Sequence, residues 1–271
     1  MENKNKSFSL TAFLCKFYVG ILLFIMYAPI LVLIIFSFTN TRIIGNWNGF
    51  SLHLYRALFH DKEIMHAFAN TFIVAISSSV VSTVLGTLGA IGIFYSKRRT
   101  KAVMDAIGRI PVLNAEIVTA LSLTILFVFC GFQFNFITLL IGHVVLTIPF
   151  VVLSVRPKLM QMDPHIYEAA LDLGATPGKA LRSIIFPEIV PGIFSGFILS
   201  ITLSLDDYII TAFTRDTAFQ TLSTYVYGVT SKKGTLPPSL RALTTVITLI
   251  ALLILVIVNI KSKNEKEDKN I

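Results

Sequence analysis

Apolar residues along the chain fall into six runs of about 20, the length a helix needs to cross a ~30 Å hydrocarbon core. They are Phe17–Phe38, Thr71–Tyr95, Ile110–Phe129, Phe136–Val155, Ile193–Ala212 and Ala242–Ile260. The pattern predicts an all-α, polytopic membrane protein with six transmembrane helices. The first run follows a short basic leader, as a secretory signal would. It is too long for one, and no small-residue cleavage site follows it. It reads as an uncleaved first helix. Residues 39–70 are polar and aromatic, which predicts an external loop with a short amphipathic helix lying on the membrane. Gly131-Phe132-Gln133 predicts a tight external turn. The tail from Lys261 is charged and predicts a disordered end.

Composition agrees with the pattern. The chain is 54% hydrophobic and 14% charged, with a mean hydropathy of +0.76. Soluble domains carry about 25% charged residues, so this chain lacks the charge to cover a soluble surface. The net charge of +8 does not indicate nucleic acid, because basic and aromatic residues do not cluster on a soluble domain. Orientation accounts for it better. With the N-terminus in the cytoplasm, 16 of the 23 Lys and Arg residues fall inside and 7 outside. Excess positive charge marks the cytoplasmic side, so both termini are expected there. Cys15 and Cys130 then lie at opposite faces and have no metal-ligand spacing.

The second run is rich in small residues: Ser77, Ser78, Ser79, Ser82, Gly86, Gly89 and Gly92. Its glycines resemble part of a nucleotide fingerprint, but no strand precedes them. Close helix packing explains them. His143, in the fourth run, reads as a hydrogen-bonding member of the bundle.

One polar-punctuated stretch stands apart, Glu168–Gly192, which the charge count places in the cytoplasm. Asp163-Pro164 is a helix start: Asp caps free N–H groups, and Pro suits the first helical position. Ile166, Tyr167, Ala170 and Leu171 share one face, and Gly174 predicts a left-handed helix end. Thr176-Pro177 repeats the start signal. Ala180, Leu181, Ile184 and Ile185 form a second apolar stripe, Pro187 is expected to stop it, and Pro191 precedes the fifth run. Taken by itself, this elbow fits two uses, an amphipathic connector on the lipid headgroups or a surface slim enough, at Ala169 and Ala170, to enter a groove on another protein.

The stretch EAALDLGATPGKALRSIIFP resembles the EAA loop of ABC-transporter permeases. Glu168, Ala169, Ala170, Gly174 and Pro187 stand where that pattern has them. ANTFIVAISSSVVSTVLGTLGA is similar to the opening of the family's shared, MetI-like membrane domain. The resemblance implies three parts: residues 1–65 as leader, first helix and loop; 66–260 as permease domain, with the coupling loop at 156–191; and 261–271 as tail. It implies residence in the bacterial inner membrane and an elbow docked in a cleft of a separate ATPase subunit. The implied partners are a homologous second permease, two ATP-binding subunits and an extracytoplasmic binding protein. SLDDYIITAF and TLSTYVYGVTSKKGTLPPSLRALTT resemble the family's polyamine branch, which implies spermidine or putrescine as solute. In NAEIV, Glu116 stands where that branch has Pro-Asp-Ile-Val.

Chemistry points the same way. Asp206 and Asp207 lie about 13 residues, or roughly 20 Å, into the fifth run. A single Asp at a helix centre costs about 2.5–3.5 kcal/mol on insertion scales, so two adjacent ones must face a bundle, a pore or a partner. Asp207 continues a polar stripe with Ser200, Ser204 and Thr211, and is expected to face a pore, with Asp206 near a subunit seam. A salt bridge or hydrogen bond to a neighbouring helix is the plainer use of the pair. As a cation site, the carboxylates would match ammonium groups, and Tyr208 and Phe213 would hold both charge and methylene chain. Glu116 is a candidate second carboxylate on the path, or an interface acid paired with Arg109 or the backbone.

The sequence has no Gly-x-x-x-x-Gly-Lys-Ser/Thr run, catalytic cluster or cofactor motif, so it predicts a transport subunit and not an enzyme. A non-transporting membrane scaffold would need no intramembrane acids, and two further rivals remain open. One is an importer of another solute, such as an iron chelate, thiamine or an oxyanion. The other is an ion-coupled secondary transporter, which would leave the elbow without a purpose; nor is an inverted repeat visible.

Overall fold

The computed structural model describes residues 10–41, 45–163, 165–233 and 237–268. The leader with Lys4 and Lys6, and also Arg42, Pro164 and Lys269, lie outside the described residues. Among the described residues there are helices and no strands. In order they are α1 (Leu10–Ser37), α2 (His53–His60), α3 (Lys62–Tyr95), α4 (Arg98–Leu113), α5 (Glu116–Phe129) and α6 (Phe136–Gln161). Then come α7 (His165–Asp172), α8 (Pro177–Ala180), a π-turn (Leu181–Ile185), α9 (Phe186–Asp206), α10 (Ile209–Thr214), α11 (Leu222–Lys233) and α12 (Pro238–Asp268).

Four helices are long and apolar enough to cross a membrane: Cys15–Ser37, Lys62–Tyr95, Phe136–Gln161 and Pro177–Asp206. A fifth is reached if α4 and α5, bent by 105°, count as one broken span. The last predicted run, Ala242–Ile260, lies in α12, whose described apolar part is Pro238–Leu253. Residues 1–62 and 229–271 form one compact unit and residues 63–228 another.

In the first unit α12 packs against α1 and α2. Leu54 and Leu58 of α2 and Leu240, Ala242 and Leu243 of α12 are buried. Arg241, 2% exposed, donates its Nη1 to the Thr41 carbonyl at 3.0 Å. The hydrogen bond offsets part of the cost of enclosing a guanidinium. The short helix expected between the first two runs is present as α2, with its apolar residues Leu54 and Leu58 buried.

In the second unit α6 packs against α9 along small residues. A Cβ added to Gly196 would stand 3.2 Å from the Val151 Cα, and one on Gly86 of α3 would stand 2.8 Å from the Val151 Cβ. Such backbone approaches hold membrane helices together where no water is expelled to drive packing. Ala90, Val151, Val155, Leu159, Ile185 and Ile189 form the core beneath the elbow. At the other end of α6, Asn135 makes a capping box, accepting from the Ile137 and Thr138 amides while Thr138 Oγ1 accepts from the Asn135 amide.

Five expectations need correction. The third run is not one helix: Asn114 and Ala115 are both extended (ψ 146° and 136°), and the chain turns sharply there. Pro111 removes a donor from the last turn of α4, and Asn favours leaving a helix. The fifth run also breaks, at Asp207 and Tyr208, for a reason given below. Pro187 does not stop the second elbow helix, because Pro177–Asp206 runs as one helix. The π-turn absorbs the missing donor: the Phe186 amide reaches back five residues to Leu181 O, just before Pro187, a widened turn of the kind that relieves such strain. The second helix begins at Lys62, nine residues early, because the buried positions Ile64, Ala67, Thr71 and Val74 already keep helical spacing. The tail, expected to be disordered, continues α12 as helix to Asp268. Lys and Glu are good helix formers, and extending a helix is easier than starting one.

Candidate functional site

The elbow follows from local chemistry. Asp163 Oδ1 accepts the His165 amide at 2.9 Å and starts α7. Gly174, with φ +86°, ends it in a conformation that glycine adopts without a Cβ penalty. Its amide donates to Leu171 O at 2.9 Å, and the Ala175 amide to Ala170 O at 3.0 Å. This is the paired closure of a Schellman end. Thr176 Oγ1 then accepts the Lys179 amide at 3.4 Å, and Pro177 opens the next helix. Tyr167 and Leu181 pack on the α6–α9 core, and the Tyr167 ring lies 5.2 Å from Tyr95. Ala170 is buried inside the elbow, whereas Glu168 and Ala169 are exposed. His165 Nδ1 stands 3.8 Å from a Glu168 oxygen. Leu173 is 89% exposed, an apolar side chain offered at the tip of the turn. Pro187 sits in the first turn of α9.

The acids gather at the two helix breaks. Glu116 opens α5, and Asp206 closes α9. Glu116, Thr202, Leu203, Asp206 and Asp207 line one cavity of about 120 Å³. Glu116 and Asp206 are exposed, and no salt bridge or hydrogen bond ties their carboxylates among the described residues. Thus Glu116 does not pair with Arg109.

Asp207 differs. It is 6% exposed, and both its oxygens are engaged. Oδ1 accepts the Ile210 amide at 3.0 Å. Oδ2 accepts the Thr211 amide at 2.8 Å and the Thr211 hydroxyl at 2.8 Å. The carboxylate therefore caps α10, satisfying donors that a buried helix start would strand. This is why the run breaks here, and it reverses the expected division of the pair: Asp206 is open and Asp207 enclosed. Ser200, Ser204 and Thr211 are likewise buried, so their stripe faces protein. One signal could have shown this. Gly192, Gly196, Ser200 and Ser204 recur every four residues on the buried side of α9, the small-residue spacing of a packed helix face.

His143, which the sequence left as a bundle residue, joins this network. Its Nε2 lies 2.9 Å from Thr211 Oγ1 and 3.7 Å from Asp207 Oδ2. Its Nδ1 lies 2.8 Å from Ser204 Oγ, which in turn stands 3.2 Å from Ser78 Oγ. Thr211 commits its one hydroxyl hydrogen to Asp207. Donor counting then assigns the imidazole proton to Nε2 and leaves Nδ1 to accept from Ser204. Three helices, α3, α6 and α9, are tied to the short α10 in this way.

The loop after the break is pinned to it. Ser223 Oγ donates to the Asp207 carbonyl at 2.8 Å. Tyr227, on the same turn-and-a-half of α11, brings its ring centroid to 4.5 Å from Tyr208. Sequence reasoning picked out Tyr208 but missed Tyr227, which lies 19 positions on with only its aromaticity to mark it. Phe213 is on α10, half-exposed at 36%.

The chain matches, over residues 8–263, the family described as binding-protein-dependent transport system inner membrane component. It is 32% identical over 225 residues to the spermidine/putrescine transport system permease protein PotC of Escherichia coli K12, covering 83% of this chain and 84% of that protein. To the putrescine transport system permease protein PotI of the same strain it is 31% identical over 229 residues, covering 82% and 81%. A solved bacterial ABC transporter involved in import of the acidic polysaccharide alginate shares the fold, with a TM-score of 0.70 at 16% identity over 96% of this chain and 99% of that one. Family, relatives and fold agree: the chain belongs to the binding-protein-dependent transport system inner membrane components, the MetI-like permease subunits of ABC importers, which are transport components and not enzymes.

Proposed function

We propose that this chain forms half of the translocation path of an ATP-driven polyamine importer. The observation that carries the reading is the meeting of Glu116, Asp206 and Asp207 at one cavity between two helix breaks. Its relatives are named for spermidine and putrescine transport. Two free carboxylates suit a cation with several ammonium groups. The C-terminal end of a broken helix adds the negative end of its dipole. Tyr208 and Tyr227 add aromatic faces that hold an ammonium or a methylene chain. Asp207 supplies shape and field from behind rather than contact.

On this reading the chain has six spans with both termini cytoplasmic, and residues 66–260 act as the permease domain. Glu168, Ala169 and Gly174 present the elbow to one of two ATP-binding subunits. Ala170 and Pro187 set its inner packing. A homologous second permease completes the path, and an external binding protein delivers the solute. The elbow favours ATP coupling over ion coupling, because a gradient-driven carrier has no partner for it.

Uptake of radiolabelled spermidine, putrescine and thiamine by cells expressing the whole importer tests the reading. Asp206→Asn is expected to lower spermidine uptake at least about tenfold, the effect of one lost ion contact of roughly 1.5–3 kcal/mol, with normal assembly. Unchanged uptake, or a preference for thiamine, would refute the cation site. In a background with Cys15 and Cys130 replaced by Ser, labelling of a Gly178→Cys variant by an impermeant thiol reagent from outside would overturn the topology.

A further inference from the structure

A second cavity lies away from the acids, under α4. It holds about 340 Å³ between α3, α4 and α6, and its lining is mainly apolar, including Met104, Ile107, Ile148 and Val152. Its polar end has three charged groups. Arg156 of α6 donates both terminal nitrogens to Asp105 of α4, Nη2 to Oδ2 at 2.6 Å. Arg109 also lines the cavity and is exposed. Asp105 balances Arg156, so Arg109 leaves an excess of one positive charge. The buried Nε of Arg156 has no hydrogen-bond partner, a stranded donor within a charged group.

The helix that roofs this cavity is unusual. α4 has no buried residue, and Val103, Met104, Ile107, Ile110 and Leu113 are exposed by 46–82%. Arg98, Arg99, Lys101 and Arg109 give it a basic character. A basic amphipathic helix with an unburied apolar face is built to lie at the headgroup level of a bilayer. Basic pockets between membrane helices at that level collect anionic lipid headgroups.

We propose that this cavity holds one acyl tail of an anionic phospholipid, with the phosphate at Arg109. The volume is at the small end of ligand pockets, which span about 300–1,000 Å³, and suits a tail rather than a whole lipid. The lipid fills the space between α4 and α6, and its phosphate offsets the unbalanced charge of Arg109. It thereby wedges α4 against α6, next to the 105° turn that positions Glu116. The inference is independent of which solute is carried.

The test uses the assembled importer, purified in mild detergent and supplied with phosphatidylglycerol or phosphatidylcholine, with retained lipid counted by native mass spectrometry. Gly108 lines the cavity and has open space around its Cβ position. Gly108→Leu therefore adds bulk to the cavity wall from a position whose Cβ meets no neighbour. The expected result is one tightly retained phosphatidylglycerol per copy of this chain, absent from Gly108→Leu. Arg109→Gln should cut the preference over phosphatidylcholine by about fivefold, the worth of one basic group near an anionic surface. Equal retention by wild type and Gly108→Leu overturns the proposal. So does crosslinking of a Gly108→Cys variant to the partner permease, which would put a protein segment in the cavity instead.

Discussion

Substituting the two adjacent acids separately should give opposite phenotypes. In Asp207→Ala, the amides of Ile210 and Thr211 lose the acceptors they hold at 3.0 and 2.8 Å. Both residues are 0% exposed, so the carboxylate is what satisfies these amides in the native packing. A stranded buried donor costs about 1–3 kcal/mol, so the two amides together predict a loss of about 2–6 kcal/mol. The Thr211 hydroxyl also loses its acceptor, and through it His143 loses the partner that fixes its proton. A loss of that size lowers the melting point of a chain this long by at least roughly 4 °C. Asp206 is exposed and makes no such bonds, so Asp206→Asn should stay within about 0.5 kcal/mol of wild type. The assay is thermal denaturation of the detergent-solubilised complex, followed by size-exclusion fluorescence and run beside spermidine uptake. Asp207→Ala should melt low, and Asp206→Asn should melt normally but transport poorly. An Asp207→Ala protein that melts with wild type would refute the capping role.

Three further outcomes follow from the geometry. Gly142→Ala places a Cβ 2.7 Å from Ile210 Cγ2 and 3.0 Å from Thr214 Oγ1. It should cost about 1–3 kcal/mol through overpacking, while Gly92→Ala, in open space, should be neutral in the same melt. Gly174→Ala must hold φ +86° with a Cβ, a strain of about 1–2 kcal/mol. Co-purification of the ATPase subunit should fall, while the melt of the membrane helices changes little. For Asp105 and Arg156, a double-mutant cycle on melting should show a coupling of about 0.5–3 kcal/mol, because either single substitution leaves a mostly enclosed charge without its partner.

The elbow was legible because its signals are local. An Asp cap, a left-handed glycine and a Thr-Pro start each act on residues within a turn, so Asp163, Gly174 and Thr176 do in the structure what their chemistry suggests. The presence of acids in apolar runs was equally legible, since their insertion cost demands a use. Their roles were not. Whether Asp207 points outward or caps a new helix depends on His143, 64 positions earlier, and on whether α9 stops. An apolar run looks the same whether it holds one helix or two. The breaks at Asn114 and Asp207 are decided by one or two polar residues that a window of 20 averages away. The Arg156–Asp105 pair spans 51 positions and leaves no local trace at all. Pro187 misled for a related reason: a proline stops an α-helix, but a π-turn one residue earlier changes which donor is missed.

The continuity of Pro177–Asp206 has a mechanical consequence. Thirty residues at 1.5 Å each make a rod of about 45 Å, so each degree of tilt at the Gly174 end sweeps Asp206 through about 0.8 Å. The elbow and the acid are then two ends of one lever, with the π-turn and Pro191 as its softest points near the fulcrum. If the elbow docks an ATPase as proposed, no relay of side chains is needed between it and Asp206. On the proposed reading, a movement of a few degrees at the elbow is enough to carry Asp206 past the reach of a single ion contact.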